Sequence, residues 1–411
     1  MLRFKILVII PFLITVSVSG YAQRSIESAM VPALRWMQAE LFLKAQIDGQ
    51  GVRIAVLDAG FPGVDTEKAF EHLRVNKQLV KTWNFVKGDE HVYRGHPHGT
   101  AVLSCIAGMN DTLRMGMATG AQFLLAVTEV RGEPAREERY FAQAVEWAVE
   151  NGAQIIHSSL GYTYQRYFSY EMDGKSSIAA RAVSAATKKG VLFITSLGNE
   201  GSSKWRMMGT PADAEMIISV GGVDPETLLP SSFTSRGPTM DGRIKPDLVS
   251  AGTTLTASPG RLKKSSGTSF AAPLVTGFAA CMLQLRPNLL LEEMIQLLKS
   301  CGHLYPYYDY AHGYGIPMAS RLIHEARPPL PTFYIESVEA PVSINIPGYM
   351  PSQTIPEVYG YIYYHVKGED GRLTEYGVIR APRPGKFELR TIHTGKSQRL
   401  GISFNGYSLQ N

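Results

Sequence analysis

This sequence predicts an α/β fold: a parallel sheet with helices on both faces, followed by a small mostly-β domain. Three observations predict it. Five short, nearly continuous apolar runs, at 52–57, 123–127, 153–157, 191–196 and 216–220, read as strands buried on both faces. Helical patterns alternate with them, which argues for parallel strands joined by crossover helices. Beyond the stiff stretch Arg327-Pro328-Pro329-Leu330-Pro331 the composition turns to aromatic and branched residues, with turn signals at Gly368 and Asp370-Gly371.

In chain order, residues 1–22 read as an export signal. Arg3 and Lys5 form a basic flank, 6–18 an apolar run, and Gly20 and Ala22 the small residues before a cleavage point. The mature chain is then expected to start at Gln23. An uncleaved anchor is the rival reading, but the run falls short of the roughly 20 residues a span needs, and Pro11 interrupts it. No stable membrane insertion is expected after cleavage, and the protein is expected to be secreted, periplasmic or at the cell surface. Residues 26–44 read as a helix ahead of the first strand. Between the second and third strands, Phe141, Ala144, Val145, Ala148 and Val149 share one helical face, and Gly152 stops that helix. Residues 177–189 behave alike and end at Gly190. The main domain is expected to span 23–326 and the β domain 332–411, with strands at 359–366 and 399–404.

With 411 residues, 45% hydrophobic and 19% charged, the chain can bury a large core and shows no long disordered tract. The net charge of +5 includes Arg3 and Lys5 of the leader; it is too weak and too scattered for a nucleic-acid footprint. Three cysteines cannot all pair within the chain. Cys105, Cys281 and Cys301 lie in apolar, helix-like surroundings and read as buried free thiols, with a Cys281–Cys301 bridge left open.

Chemistry in such sheets gathers at the carboxyl ends of the strands. Three of those ends carry polar candidates: Asp58 in Val56-Leu57-Asp58-Ala59-Gly60, Ser159 in Ser159-Leu160-Gly161, and Asn199 in Leu197-Gly198-Asn199-Glu200-Gly201. His98 opens His98-Gly99-Thr100-Ala101-Val102, where a glycine allows tight entry into a helix. Ser269 sits in Gly267-Thr268-Ser269-Phe270-Ala271-Ala272-Pro273, at the start of an apolar helical run. A hydroxyl at a helix N-terminus faces free N–H groups that favour developing negative charge. Acyl transfer by a serine needs a base, a carboxylate to orient that base, and donors for an oxyanion. An Asp or a His beside glycine is common by chance; the order Asp, His, Asn, Ser around that heptad is not.

On these residues the chain resembles the subtilisin-like serine proteases, the subtilase family of peptidase S8 type, over roughly residues 30 to 325. The order Asp, His, Ser separates it from chymotrypsin-like and α/β-hydrolase enzymes. Ser235-Arg236-Gly237-Pro238 and Lys245-Pro246-Asp247 add secondary matches. The resemblance implies a seven-stranded parallel sheet and a serine endopeptidase acting on protein or peptide substrates. It implies Ser269 as nucleophile, His98 as general base and then acid, and Asp58 as the group that orients the imidazole. Asn199 and the Ser269 N–H, assisted by Thr268, would form the oxyanion hole. Ser159, Leu160, Gly161 and Gly198 would meet substrate.

Several positions depart from the family. Ala59 stands where Ser or Thr is usual, His157 where Asn is frequent, and Leu197 replaces a smaller residue. Tyr162 follows Gly161 where glycine is common, and is expected to narrow the groove. The insert 162–173, rich in aromatics, either walls the groove or packs as a long loop. The interval from Gln23 to Val52 is too short for a long inhibitory prodomain, and none is expected. A subtilase-fold binding protein with a blocked site, or a peptide ligase, are the rival functions. No cofactor is required and no metal site is expected: His96 and His98 lack a third ligand. Structural calcium stays open at Asn110 and Asp111 and at Asp173-Gly174, although one loop does not supply the six or more oxygens that calcium takes. Glu200 is either a determinant for basic substrates or a solvated carboxylate.

Overall fold

The computed structural model describes residues 30–111, 113–130, 132, 135–324, 330–338, 341–347, 360–380, 384–389 and 398–410. A seven-stranded sheet forms the centre, in the order Leu79–Asn84, Gln122–Val127, Arg53–Asp58, Ile155–Ser158, Leu192–Ser196, Ile218–Val223, Leu248–Ala251. Every neighbouring pair is parallel. Side chains alternate across it as strand geometry requires. Ile54 and Val56 face one apolar layer, while Ala55 and Leu57 face the other.

The helices divide between the two faces. His98–Ala107 packs against Thr268–Leu285 on one side, and Glu137–Glu150 against Ile178–Thr187 on the other. Ser177 caps the last of these by accepting from the Ala180 N–H at 2.8 Å. Thr268–Leu285 is long and apolar enough to cross a membrane, yet 89% of it is buried within the protein, so it is the core helix. Each large side chain fully buried in these layers, such as Phe123 or Phe278, contributes about 1.5–3 kcal/mol. The three cysteines are free and buried, without the Cys281–Cys301 bridge.

Two expectations shift. The single helix expected over 26–44 is, within the described residues, two short ones, Pro32–Trp36 and Ala39–Lys44, broken where Gln38 takes φ 57°. The strand expected at 216–220 begins two residues later, because Met216 adopts φ 54° and stays exposed. The export signal at 1–22 and most of the proline-rich stretch lie outside the described residues.

Toward the carboxyl end stand two antiparallel sheets, one of three strands (Tyr334–Ser337, Val342–Ile346, Gly385–Leu389) and one of four (Leu373–Arg380, Tyr361–Lys367, Arg399–Phe404, Tyr407–Gln410). They enclose their own core of Phe333, Ile344, Ile362, Val366, Ile402 and Phe404. This unit docks on the α/β body through Leu304, Tyr307 and Tyr363. The Tyr307 hydroxyl donates to the Tyr364 carbonyl at 3.0 Å.

Candidate active site

Asp58 ends its strand fully buried, and its Oδ1 accepts the Ala59 N–H at 2.7 Å. His98 begins the adjacent helix. Its Nδ1 lies 2.8 Å from Asp58 Oδ1 and 3.0 Å from Oδ2; a carboxylate only accepts, so Nδ1 carries the proton. Gly99 makes that approach sterically feasible. A Cβ there would stand 2.5 Å from the Gly60 oxygen and 2.9 Å from Asp58 Cβ. Burial pulls the His98 pKa down, but the charge of Asp58 and its hydrogen bond outweigh it, and the imidazole titrates above its ordinary 6.5.

Ser269 is the second residue of Thr268–Leu285, where backbone N–H groups have no partner within the helical ladder. Gly267 turns the chain into that helix at φ 147°, a region that favours glycine. The Ser269 hydroxyl donates to the Ser159 carbonyl at 3.3 Å. Asn199 Oδ1 accepts from both the Thr268 N–H, at 2.9 Å, and the Thr268 hydroxyl, at 3.0 Å. The Thr268 hydroxyl in turn accepts from the Gly198 N–H at 3.2 Å. With its oxygen fixed on Thr268, the Asn199 amide presents its NH2 on the opposite side.

These groups share one cleft of about 350 Å³. His98, Ser159, Leu160, Gly161, Gly198, Asn199 and Ser269 all line it, and Asp58 stands behind His98. Thr268 lies outside the lining, with its hydroxyl committed to Asn199. Glu129 and Glu200 also line the cleft, as does His96.

Tyr162 does not narrow the groove. Its side chain turns inward against Phe141, 3% exposed, with the Arg166 guanidinium 4.2 Å above its ring. Arg166 is held there by Glu137 at 2.7 Å, and Tyr167 reaches Glu138 at 2.7 Å. The anchored insert both packs and walls: Thr163, Tyr164 and Gln165 line the cleft, while Tyr167 is tied to the Glu137–Glu150 helix. Leu197 packs against Met208 and Ala212 and, unlike Tyr162, borders the cleft. In the loop considered for calcium, the Asp111 carboxylate pairs with Lys68 at 3.2 Å.

Two features here escaped sequence reasoning. The hydroxyl of Thr268 orients Asn199, a contact between the first residue of a helix and a strand-end loop 69 residues away. His157 sits beneath the cleft, bonded to Thr276 at 2.7 Å and to Ser159 at 3.0 Å. Its replacement of a frequent asparagine was the only signal.

Comparison with known proteins bears on the family and the fold. The family model described as "Subtilase family" matches residues 49–315. The serine protease AprX of Bacillus subtilis (strain 168) is 26% identical over 291 residues, a match covering 62% of this chain and 62% of that protein. Subtilisin BL of Lederbergia lenta is 30% identical over 245 residues, covering 59% of this chain and 80% of that protein. Among solved structures, a cold adapted subtilisin-like serine proteinase superposes with a TM-score of 0.52 at 24% identity, covering 66% of this chain and 88% of that one. MycP1 with its N-terminal propeptide removed superposes with a TM-score of 0.58 at 22% identity, covering 72% and 98%. The fold, the strand-end residues and these matches together place the chain in the subtilase family, the subtilisin-like serine proteases.

Proposed function

We propose that this chain is an exported serine endopeptidase that hydrolyses peptide bonds through Asp58, His98 and Ser269 and an acyl-enzyme intermediate. The observation that carries the reading is the buried Asp58 carboxylate on His98 Nδ1, with the ring and the Ser269 hydroxyl opening on one cleft. The Ser269 hydroxyl rests on the Ser159 carbonyl and would turn to His98 Nε2 in the substrate complex, since catalytic contacts in free enzymes commonly tighten only on substrate binding. His98 then takes the proton as Ser269 attacks the peptide carbonyl, and returns it to the leaving amine. Water, activated the same way, releases the acyl group. Asp58 holds the proton on Nδ1 and stabilises the imidazolium. Asn199 Nδ2 and the Ser269 N–H receive the oxyanion. Thr268 enters as the group that orients Asn199, since its own hydroxyl hydrogen points at the amide oxygen.

Ser159, Leu160, Gly161 and Gly198 form the wall along which a peptide substrate would lie. The inward turn of Tyr162 removes one ground for a blocked, binding-only site. In this reading residues 1–22 are the leader, 23–326 the peptidase domain and 332–411 the β domain. Mass spectrometry of the exported protein after fluorophosphonate treatment tests the whole reading. It should show an N-terminus at Gln23 and a single adduct on Ser269, in a preparation that hydrolyses casein before treatment. An unlabelled Ser269 in an active preparation would sink it.

Asn199→Ala should lower kcat by about 10²–10³, or 2.7–4 kcal/mol, the scale for losing one such donor in a subtilisin, with KM little changed. Asn199→Asp keeps an acceptor for Thr268 but aims negative charge at the oxyanion. Its kcat should fall further still, which steady-state kinetics on a chromogenic peptide will read.

A further inference from the structure

A buried polar chain runs beneath the cleft from the sheet to the Ser269 helix. His157, fully buried on Ile155–Ser158, places Nδ1 at 2.7 Å from Thr276 Oγ1 and Nε2 at 3.0 Å from Ser159 Oγ. The Ser159 hydroxyl donates to the Ser269 carbonyl at 3.0 Å, and the Ser269 hydroxyl donates back to the Ser159 carbonyl at 3.3 Å. An α-helix ordinarily ties such a carbonyl to the N–H four residues on. Here that residue is Pro273, inside the helix and without an N–H, so the Ser269 carbonyl is released to Ser159.

The proton positions follow from these contacts. Burial, helped by the neighbouring charge of His98, pushes the His157 pKa down to about 3, so the ring is neutral with one N–H. The Ser159 hydrogen is committed to Ser269. His157 therefore donates from Nε2 to Ser159 and accepts from Thr276 at Nδ1. Thr276 lies on the same helix as Ser269, with the Ala272 carbonyl as its more distant acceptor at 3.2 Å. One imidazole thus braces the end of the strand against two points of the helix that carries Ser269.

We propose that His157 is a positioning residue. By fixing the Ser159 hydroxyl that holds the Ser269 carbonyl, it sets where the Ser269 side chain stands relative to His98 and the oxyanion donors. The proposal rests on Ser269 being the nucleophile. His157 lies outside the cleft lining, so its effect falls on the attack step rather than on substrate binding.

The test measures kcat and KM on a peptide substrate, per active site titrated with a fluorophosphonate. His157→Leu should lower kcat per titrated site about 10-fold or more, because misplacing a reacting group by 1 Å costs up to about 10², with KM within about twofold. His157→Asn, which restores a donor, should recover part of the loss. Ser159→Ala cuts the same link. Adding His157→Leu to it should cost little more, since residues acting through one link are not additive. An unchanged kcat per titrated site in His157→Leu, or losses that multiply in the double variant, would overturn the proposal. If His157→Leu does not fold, Thr276→Val, which removes the donor to Nδ1, takes its place, and an unchanged kcat there overturns it equally. Failure of the nucleophile assignment looks different: the parent enzyme itself would carry no adduct on Ser269.

Discussion

Replacing Ser269 with alanine should lower kcat by about 10⁶, the scale subtilisins show when the nucleophile is lost, while the fold survives. The substitution removes one oxygen from a site only 8% exposed, and with it one hydrogen bond of 3.3 Å to the Ser159 carbonyl. A hydrogen bond of this kind is worth about 1 kcal/mol net, so the melting temperature should move by a few degrees at most. Far-UV circular dichroism and thermal melts will show that the protein is intact, and casein hydrolysis will show that it is inactive. Asn199 and the cleft wall persist in the variant, so a residual rate about 10³–10⁴ above that in water is expected from oxyanion stabilisation and binding alone. A variant that turned over within tenfold of the parent would require a different nucleophile.

The sequence made the principal side chains legible because each is marked by local backbone demands. Gly99 is needed where the His98 helix meets Asp58, and Gly267 where the chain turns into the Ser269 helix; both are visible as glycines beside a polar residue. The interior strands were legible as apolar runs because they are buried on both faces. Leu79–Asn84 escaped for the converse reason: it is the sheet's edge, half exposed, with Lys81 and Thr82 breaking the pattern. Leu248–Ala251 escaped as well; it is the opposite edge of the sheet. Side-chain direction was not legible at all. Tyr162 reads as an obstruction until Arg166 and the buried Glu137 are seen drawing the insert inward. Of the partners of His157, Ser159 stands at the end of the same strand, but Thr276 lies 119 residues away on a helix, and no spacing along the chain announces it. The docking of the β domain is similar: Tyr307 meets Tyr364 across 57 residues, through contacts that composition does not encode.

Asp58→Asn should cost about 10⁴ in kcat, the scale reported for Ser-His-Asp triads, and should move the pH profile in a direction fixed by the geometry. The buried carboxylate accepts from His98 Nδ1 at 2.8 Å and keeps the proton there, leaving Nε2 bare to act as base. An asparagine can turn its NH2 to Nδ1, which forces the proton onto Nε2 and gives the wrong tautomer. The charge of Asp58 also sets the titration. Burial lowers the His98 pKa; the carboxylate's charge and hydrogen bond more than offset this and hold it above 6.5. A base works when unprotonated, so the acid limb of kcat/KM in the parent should have its midpoint above 6.5 and rise with pH. Without the carboxylate only the lowering effect of burial remains, and the limb should shift to lower pH even as the maximum collapses. Stability follows the same linkage. A pKa raised in the folded state stabilises the fold below the unfolded value, and this is lost as pH rises through the folded value. The part of the parent's melting-temperature advantage that comes from His98 should therefore be largest in acid and shrink toward alkaline pH. Parallel pH–rate profiles and melts of parent and variant read both effects. An acid limb that stayed in place would mean that some group other than His98 takes the proton.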